Sequence, residues 1–209
     1  MTTDASPDLA QLPGGVRELD AAISTAAAEA PGSATPWLVL VYRIPSEPTR
    51  LRAAVWRRLK ALGAVYLQNS IAALPQDSGN ERALRRLRYD IIQMSGTAVL
   101  LSSTVLVGDE MVMTTFQNAR SDEYEEIVDR CEGFLKEIGS EYDKSHFTYA
   151  ELEENEVDYN KLTGWFAKVN ERDRFGAEGR SVAEDALRRC QEALEQYASK
   201  VYSEEPEGH

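Results

Sequence analysis

The spacing of hydrophobic positions changes along this chain near Gly108. Before that point, short apolar runs typical of strands alternate with apolar stripes at helical spacing, and after it the spacing is helical throughout. The first residues are rich in Ala, Pro, Gly and Ser and hold no sustained period. The pattern predicts a flexible arm over 1–36, an α/β module over 37–107, a helical extension packed on the module over 108–203, and a disordered acidic tail over 204–209.

The module opens with Trp37–Arg43, an aromatic and β-branched run between two prolines that predicts a central strand buried on both faces. Pro48 and Thr49 then start a helix that Gly63 ends. Its apolar stripe is Leu51, Val55, Leu59 and Leu62. The next segment carries strand residues on both sides of Gln68–Ser70, a polar break that is either a bulge or a tight turn between two strands.

A second helix follows in the module and ends at Gly96. Its apolar stripe is Leu84, Leu87, Ile91 and Met94. Thr97–Leu101 has the composition of a further buried strand. The order β-α-β(β)-α-β, with two helices able to cover one face of a sheet, predicts a ferredoxin-like arrangement in an α+β protein.

The extension is predicted to hold three main amphipathic helices. Asp109 as an N-cap favours a short helix over Met111–Phe116, and a continuous apolar stripe from Tyr124 to Ile138 predicts a long helix after it. Two capping boxes, Thr148 with Glu151 and Ser181 with Glu184, predict the starts of the last two helices. Each apolar side must pack on a neighbouring helix or on the open sheet face.

Charge separates the two halves of a chain whose net charge is −12. Residues 36–96 carry ten basic and four acidic side chains, whereas residues 97–209 carry twelve and twenty-six. This predicts an anion-attracting face on the first module, and the alternative is two ordinary solvated helix surfaces. The candidates for contact with nucleic acid are Arg50, Arg52, Arg57, Arg58 and Lys60.

Cysteines, histidines and the hydropathy pattern narrow the chemistry further. Cys131 and Cys190 both fall on apolar stripes, which predicts buried free thiols, and the two cysteines and two histidines are too scattered for a CxxC metal site. No apolar run reaches the ~18 residues of a membrane span and the start has no basic, apolar leader, so we expect a cytoplasmic protein that does not contact a membrane. We expect no cofactor and no metal.

Candidate site residues are arginines, carboxylates and one amide, because no GxSxG, P-loop, dinucleotide or HExxH motif is present. Asn155 and Glu156 interrupt an apolar stripe, so they either line a cavity or bind a neighbouring helix end or an arginine. Glu151, Glu153, Glu154 and Glu156 form the densest acidic cluster, which is either a solvated face or a set of oxygen ligands for a hard cation.

Three arginines and one aspartate complete the candidates. Arg43 ends a predicted buried strand, where it either clamps an oxyanion or pairs with a carboxylate such as Glu47. Arg172 and Asp173 lie in a loop between two helices, where helix capping and ion pairing compete with a role in catalysis. The candidates for a small anionic ligand, in a pocket between sheet and helices, are Arg43, Arg120, Glu154, Asn155, Arg172 and Asp173.

Long stretches of the chain resemble the N-terminal region of the ChrB chromate-resistance family. They are WLVLVYRIPSEPTRLRAAVWRRLKALGAVYLQNSIAALP, FQNARSDEYEEIVDRCEGFLKEI, FTYAELEENEVDYNKL and RDRFG. The resemblance implies a chromate-responsive regulator that contacts DNA through basic residues, and the first module looks like that of PaaX-type repressors. It carries the family's basic helix onto Arg50–Lys60, its acidic motif onto Glu151–Glu156, and its RD-F element onto Arg172, Asp173 and Phe175.

Two hypotheses follow from these features. The first is a non-enzymatic transcription regulator that binds DNA through the basic module, as a homodimer in which two basic patches add. The second is a binding protein or enzyme for a small anionic ligand. The resemblance implies that full-length family members continue into a C-terminal region, and functions of that region are not transferred to this chain.

Overall fold

The computed structural model describes residues 35–204, so the predicted arm and tail lie outside it except for Thr35, Pro36 and Glu204. The strands are β1 (Trp37–Arg43), β2 (Val65–Gln68), β3 (Ile71–Pro75) and β4 (Thr97–Ser103). They form one antiparallel sheet in the order β2-β3-β1-β4. Together with the helices between them, this is the ferredoxin-like arrangement, and the predicted α+β fold is confirmed.

Two helices, α1 (Thr49–Leu62) and α2 (Ser78–Gln93), belong to this module. α1 follows the extended Pro48 and buries Val55 and Leu59 completely. α2 is capped by Asp77, whose side chain accepts a hydrogen bond from the backbone N–H of Asn80 at 2.8 Å. The apolar stripes of both helices share one core cluster with Leu38, Leu40 and Leu74 of the sheet. The helical spacing of the apolar residues therefore predicted both helices and their buried faces correctly.

The polar break at Gln68–Ser70 is a turn between two strands. Asn69 and Ser70 connect β2 to β3, and Ser70 has a positive φ of 65°. The register also shifts between Tyr66 and Gln68, which is a bulge-like irregularity. Both readings of the break thus apply to this hairpin.

The sheet face opposite α1 and α2 is only partly covered, which corrects two predictions. β1 is central, but Val41 near its end is 38% exposed, so only its first half is buried on both faces. β4 is an edge strand among residues 35–204, and its Val99 and Leu101 are 56% and 45% exposed. The predicted burial was wrong because the extension covers this face near β2 and near Trp37, whose ring centroid lies 5.9 Å from that of Phe116, and leaves the β4 side open.

The helical extension holds three helices in the described part of the chain: α3 (Asp109–Asp143), α4 (Tyr149–Arg172) and α5 (Arg180–Glu204). The predicted separate helix at Met111–Phe116 is instead the first part of α3. Its Val112 and Phe116 pack on the sheet, whereas the rest of α3 packs with α4 and α5 in a second core cluster. One continuous helix therefore joins the two cores.

The ends of the other helices match the capping rules in one case of two. Thr148 caps α4 through a 3.3 Å hydrogen bond from the backbone N–H of Glu151. α5 begins at Arg180, so Ser181 lies inside the helix, and Glu184 pairs with Arg180 at 3.1 Å. Cys131 and Cys190 are buried and free, as predicted. None of the helices described is both long and apolar enough to cross a membrane.

Candidate nucleic-acid interface

The outer face of α1 carries its basic side chains because the apolar stripe faces the sheet. Arg50, Arg52, Arg57, Arg58 and Lys60 are all exposed. Arg58 forms an ion pair with Asp90 of α2, which neutralises it. Among residues 35–204, Arg50, Arg52 and Arg57 have no carboxylate partner. Lys60 has no carboxylate partner there either, so four of the five predicted cations, three arginines and Lys60, are available to an anion.

Two cavities lie along α1 and share the side chain of Trp56, which is 50% exposed. The first has a volume of about 520 Å³ and is lined by Tyr42, Arg43, Ile44, Arg52, Trp56, Tyr66, Asn69 and Ser70. The second, of about 320 Å³, is lined by Trp56, Arg57, Lys60, Ala61, Glu123, Trp165, Lys168 and Arg172. We call the two together the α1 groove.

The α1 groove combines cations with aromatic rings. Six lining residues are basic, one is acidic, and four are Tyr or Trp. Lys60 Nζ lies 5.6 Å from the centroid of the Trp56 ring, a cation–π contact that leaves one part of the indole accessible. Exposed aromatic rings between basic side chains are the composition that binds bases and phosphates. The side chains of the α1 groove thus suit a planar or phosphate-bearing anion.

Tyr66 and Tyr42 form the polar floor of the first cavity, with their hydroxyl oxygens 3.1 Å apart. Burial and the contact with Tyr42 raise the pKa of Tyr66. A phenol with a raised pKa stays neutral at physiological pH, so it offers a hydrogen bond to an anion without repelling it.

Two arginines, the buried Arg120 and the partly buried Arg172, hold the C-terminal end of α1 against the extension. Arg120, on α3, donates to the carbonyl oxygen of Gly63 at 3.0 Å, and Arg172, at the end of α4, donates to that of Ala61 at 2.9 Å. The carboxylate of Glu123 neutralises charge on both arginines, because its oxygens lie 2.9 Å from Arg120 Nε and 3.1 Å from a terminal nitrogen of Arg172. The Arg120 Nε contact is not aligned as a hydrogen bond, so charge attraction holds it.

The position of the two arginines has an electrostatic reason. The last carbonyl groups of a helix have no intrahelical partner and carry partial negative charge, which cations stabilise. Gly63 ends α1 with a φ of +76°, and a Cβ there would lie 2.5 Å from an Arg120 nitrogen. Arg120 therefore approaches the helix end only because residue 63 is glycine. Burial lowers the pKa of Arg120, and Glu123 opposes that shift.

Asp173 has a capping role rather than an exposed catalytic one. Its carboxylate accepts hydrogen bonds from the backbone N–H of Ala177, at 3.0 and 3.1 Å, and from the hydroxyl of Tyr124 at 3.3 Å. Burial and the Asp173 carboxylate raise the pKa of Tyr124 to about 12. The next residue, Arg174, pairs with Asp77 at 2.7 Å and so ties this loop to the cap of α2.

The predicted small-ligand residues fall into separate places. Arg120, Arg172 and Asp173 are neighbours in the buried junction, while Arg43 lines the first cavity without any of the other five. Asn155 is 4% exposed and donates to the carbonyl oxygen of Glu151 at 2.8 Å, one turn earlier in α4. Glu154 is exposed, as are Glu153 and Glu156, so most of the acidic cluster is a solvated face.

One further cluster lies where α3 meets α4. Ligand atoms of Glu141, His146 and Glu151 lie within 4.8 Å of one another, and His146 Nδ1 is 3.1 Å from the Glu141 carboxylate. Lys144 also binds Glu141 at 3.1 Å and, with His146, lowers its pKa. Because a lysine already neutralises Glu141, these groups make a structural ion-pair cluster, although their spacing could also hold a cation.

Several residues of the groove escaped the sequence analysis. Trp56 was passed over because it lies on the polar side of α1, and Trp165 and Lys168 lie on α4, more than a hundred residues away. Glu123 belongs to an acidic run in which nothing marks one carboxylate as buried. A tryptophan among arginines on a polar helix face was the one available signal.

Comparison with known proteins identifies the family. The family described as "Protein ChrB, N-terminal" matches residues 52–208, which is most of the chain. "Protein ChrB" of Cupriavidus metallidurans (strain CH34) is 33% identical over 94 residues, which cover 44% of this chain and 28% of that relative's length. No solved structure matches the chain. The chain belongs to the ChrB family, and the predicted resemblance is confirmed.

Proposed function

We propose that this ChrB-family chain is a non-enzymatic regulatory protein of the chromate response that binds DNA through the α1 groove. The observation that carries this proposal is the set of arginines on α1 with no carboxylate partner among residues 35–204: Arg50, Arg52 and Arg57. Arg52 and Arg57 line the two cavities beside the exposed Trp56, and arginines without a carboxylate partner are free to bind phosphates, which arginine recognises bidentately.

The net charge of −12 does not oppose this function. The excess of acidic side chains lies in the extension, where it directs the basic face of α1 toward nucleic acid and keeps the remaining surface away from it. Phosphate contacts by a few arginines supply affinity that depends strongly on salt. DNA binding therefore requires a local basic face and does not require a positive net charge.

The test is binding of the full chain to duplex DNA taken from upstream of its own gene, measured by fluorescence anisotropy between low and physiological salt. We expect the affinity to fall steeply with salt, and the double variant Arg52→Ala/Arg57→Ala to reduce the slope of log affinity against log salt by about two. Arg188→Ala, which removes an exposed arginine of α5 held by Asp185 and Glu192, is the matched control. No binding at low salt, or equal binding by the double variant, would refute the proposal.

A second candidate function rests on the first cavity alone. Arg43 and Arg52 both line it, no carboxylate does, and its volume of about 520 Å³ suits a small anion or a nucleotide-sized metabolite. Thermal-shift measurements with millimolar chromate, sulfate, phosphate and nucleotides test this reading. We expect stabilisation by one anion class that Arg43→Ala/Arg52→Ala abolishes, and a set of anions that gives no shift would exclude it.

A further inference from the structure

The open face of the sheet, beside its β4 edge, is an apolar surface left without a partner among residues 35–204. Val41, Val99 and Leu101 project from β1 and β4, and Leu106, Val107 and Met111 follow β4 with exposed fractions of 94%, 91% and 67%. Apolar patches of this kind on a protein surface mark interaction sites. We call these six residues the β4 face.

The sequence of the β4 edge itself lacks the features that normally prevent strand pairing. Natural edge strands are protected by lysines, other charges, prolines or bulges. The segment Thr97–Gly108 holds no charged residue and no proline, and its pairing with β1 is regular over seven residues. From outside the segment, Arg88 of α2 donates to the outward carbonyl oxygen of Ala98 at 3.0 Å. Among residues 35–204, the outward N–H and C=O groups of Leu100 and Ser102 are left for a second strand, which would share the Ala98 carbonyl with Arg88.

We propose that a second copy of this chain pairs with the β4 edge, the two β4 strands running antiparallel about a two-fold axis near Leu100, so that the β4 faces of the two copies become adjacent. This proposal does not rest on DNA binding. Pairing about Leu100 places Val99 opposite Leu101 of the second copy, and Leu101 opposite its Val99. The strand is thus self-complementary, with apolar side chains meeting apolar side chains on the open face.

Charge favours the same arrangement. Arg43 is the register partner of Thr97 and has no carboxylate partner among residues 35–204. Antiparallel pairing brings Ser103 of the second copy opposite Thr97, so that copy's exposed Asp109 and Glu110 arrive at the end of the sheet where Arg43 lies. Opposite charges therefore meet at both ends of the pair, while the uncharged strand lies between them.

The symmetry has a geometric consequence. A two-fold axis perpendicular to the joined sheet keeps α1 and α2 of both copies on the same side of an eight-stranded sheet. The extensions of both copies then start on the opposite side, where α3 packs beside Trp37. The basic faces of the two α1 helices therefore point in the same direction.

The experiment is sedimentation equilibrium of the full chain across micromolar concentrations. We expect a dimer of twice the 23.3 kDa chain mass, and Val99→Glu and Leu101→Glu should each weaken the dimer at least tenfold while circular dichroism stays unchanged. Val182→Glu is the matched control, because Val182 on α5 is 55% exposed against 56% for Val99. Dimerisation that survives both β4 variants would overturn the proposal.

Two further measurements locate the contact. In Val99→Cys/Leu101→Cys, we expect oxidation to link two chains, because paired strands hold opposing Cα atoms within disulfide range. Arg43→Glu should weaken the dimer, and adding Asp109→Arg/Glu110→Arg should restore it. A monomer at every concentration refutes the proposal.

Discussion

The two halves of this protein use arginine in different ways. In the extension, exposed basic residues such as Arg180 and Arg188 pair with carboxylates three or four positions away on the same helix. On α1, Arg50, Arg52 and Arg57 have no such partner among residues 35–204. Helical ion pairs need an acidic residue at the correct spacing, and α1 contains none. The same residue type is thus neutralised at Arg180 and Arg188 and a free charge at three positions of α1.

A third environment separates Arg120 and Arg172 from both groups. Arg120 is buried and Arg172 partly buried where the halves meet, and they share Glu123 and the last carbonyl groups of α1. Their role is to fix the module to the extension, so the sequence-level expectation that Arg172 caps a helix end agrees with the geometry. Burial, and not residue type, decides which arginines are structural.

The largest effect should come from breaking this buried junction. Arg120→Leu leaves the Gly63 carbonyl without its partner and the Glu123 carboxylate with Arg172 alone, and removing one member of a buried pair costs about 3–5 kcal/mol. Urea unfolding followed by circular dichroism measures the loss. Arg188→Leu removes an exposed arginine instead, and we expect its unfolding midpoint to equal that of the parent protein. Equal losses in the two variants would remove the distinction between junction and surface.

The second effect concerns the free arginines. Arg52→Glu/Arg57→Glu should weaken DNA binding at least tenfold at low salt, because each reversed charge removes a phosphate contact and adds repulsion. Its unfolding free energy should stay within about 0.5 kcal/mol of the parent, since exposed positions without partners contribute little to folding. A variant that lost stability and binding together would show that these arginines, too, are structural.

A smaller change is expected at the start of α4. Thr148→Ala removes the side-chain acceptor for the Glu151 backbone N–H and should cost about 1 kcal/mol in urea unfolding. Thr148→Ser keeps the hydroxyl oxygen and should recover most of that loss. Without recovery, the effect would come from the lost methyl group and not from the cap.

The smallest effect is a dependence of stability on acid pH through Asp77. Partial burial acts to raise the pKa of its carboxyl group, but hydrogen bonds from the Asn80 backbone and from Arg174 outweigh burial and hold it below 3.8. Because the folded pKa is the lower one, the contribution is complete above the unfolded value and is lost as the pH falls through the folded pKa. Asp77→Asn should therefore flatten the stability curve only below about pH 4, as thermal melts between pH 2 and 6 would measure.

The sequence determined the elements and the topology of this protein. The apolar stripes, Gly63, Thr148 and the order of strands and helices were enough to predict a ferredoxin-like module followed by helices, because period and capping act over a few residues. The free thiols Cys131 and Cys190 were predictable for the same reason. The basic face of α1 also followed from its stripe.

Only the tertiary structure decided which of those charges are free and which apolar strands are covered. Trp56 meets Trp165 and Lys168 across the α1 groove, and Glu123 meets two arginines, through contacts between residues far apart in the chain. The composition of β4 predicts a buried strand, yet β4 lies at the edge of the sheet. Composition reflects the environment that each residue type prefers and does not show whether a neighbouring element covers the strand.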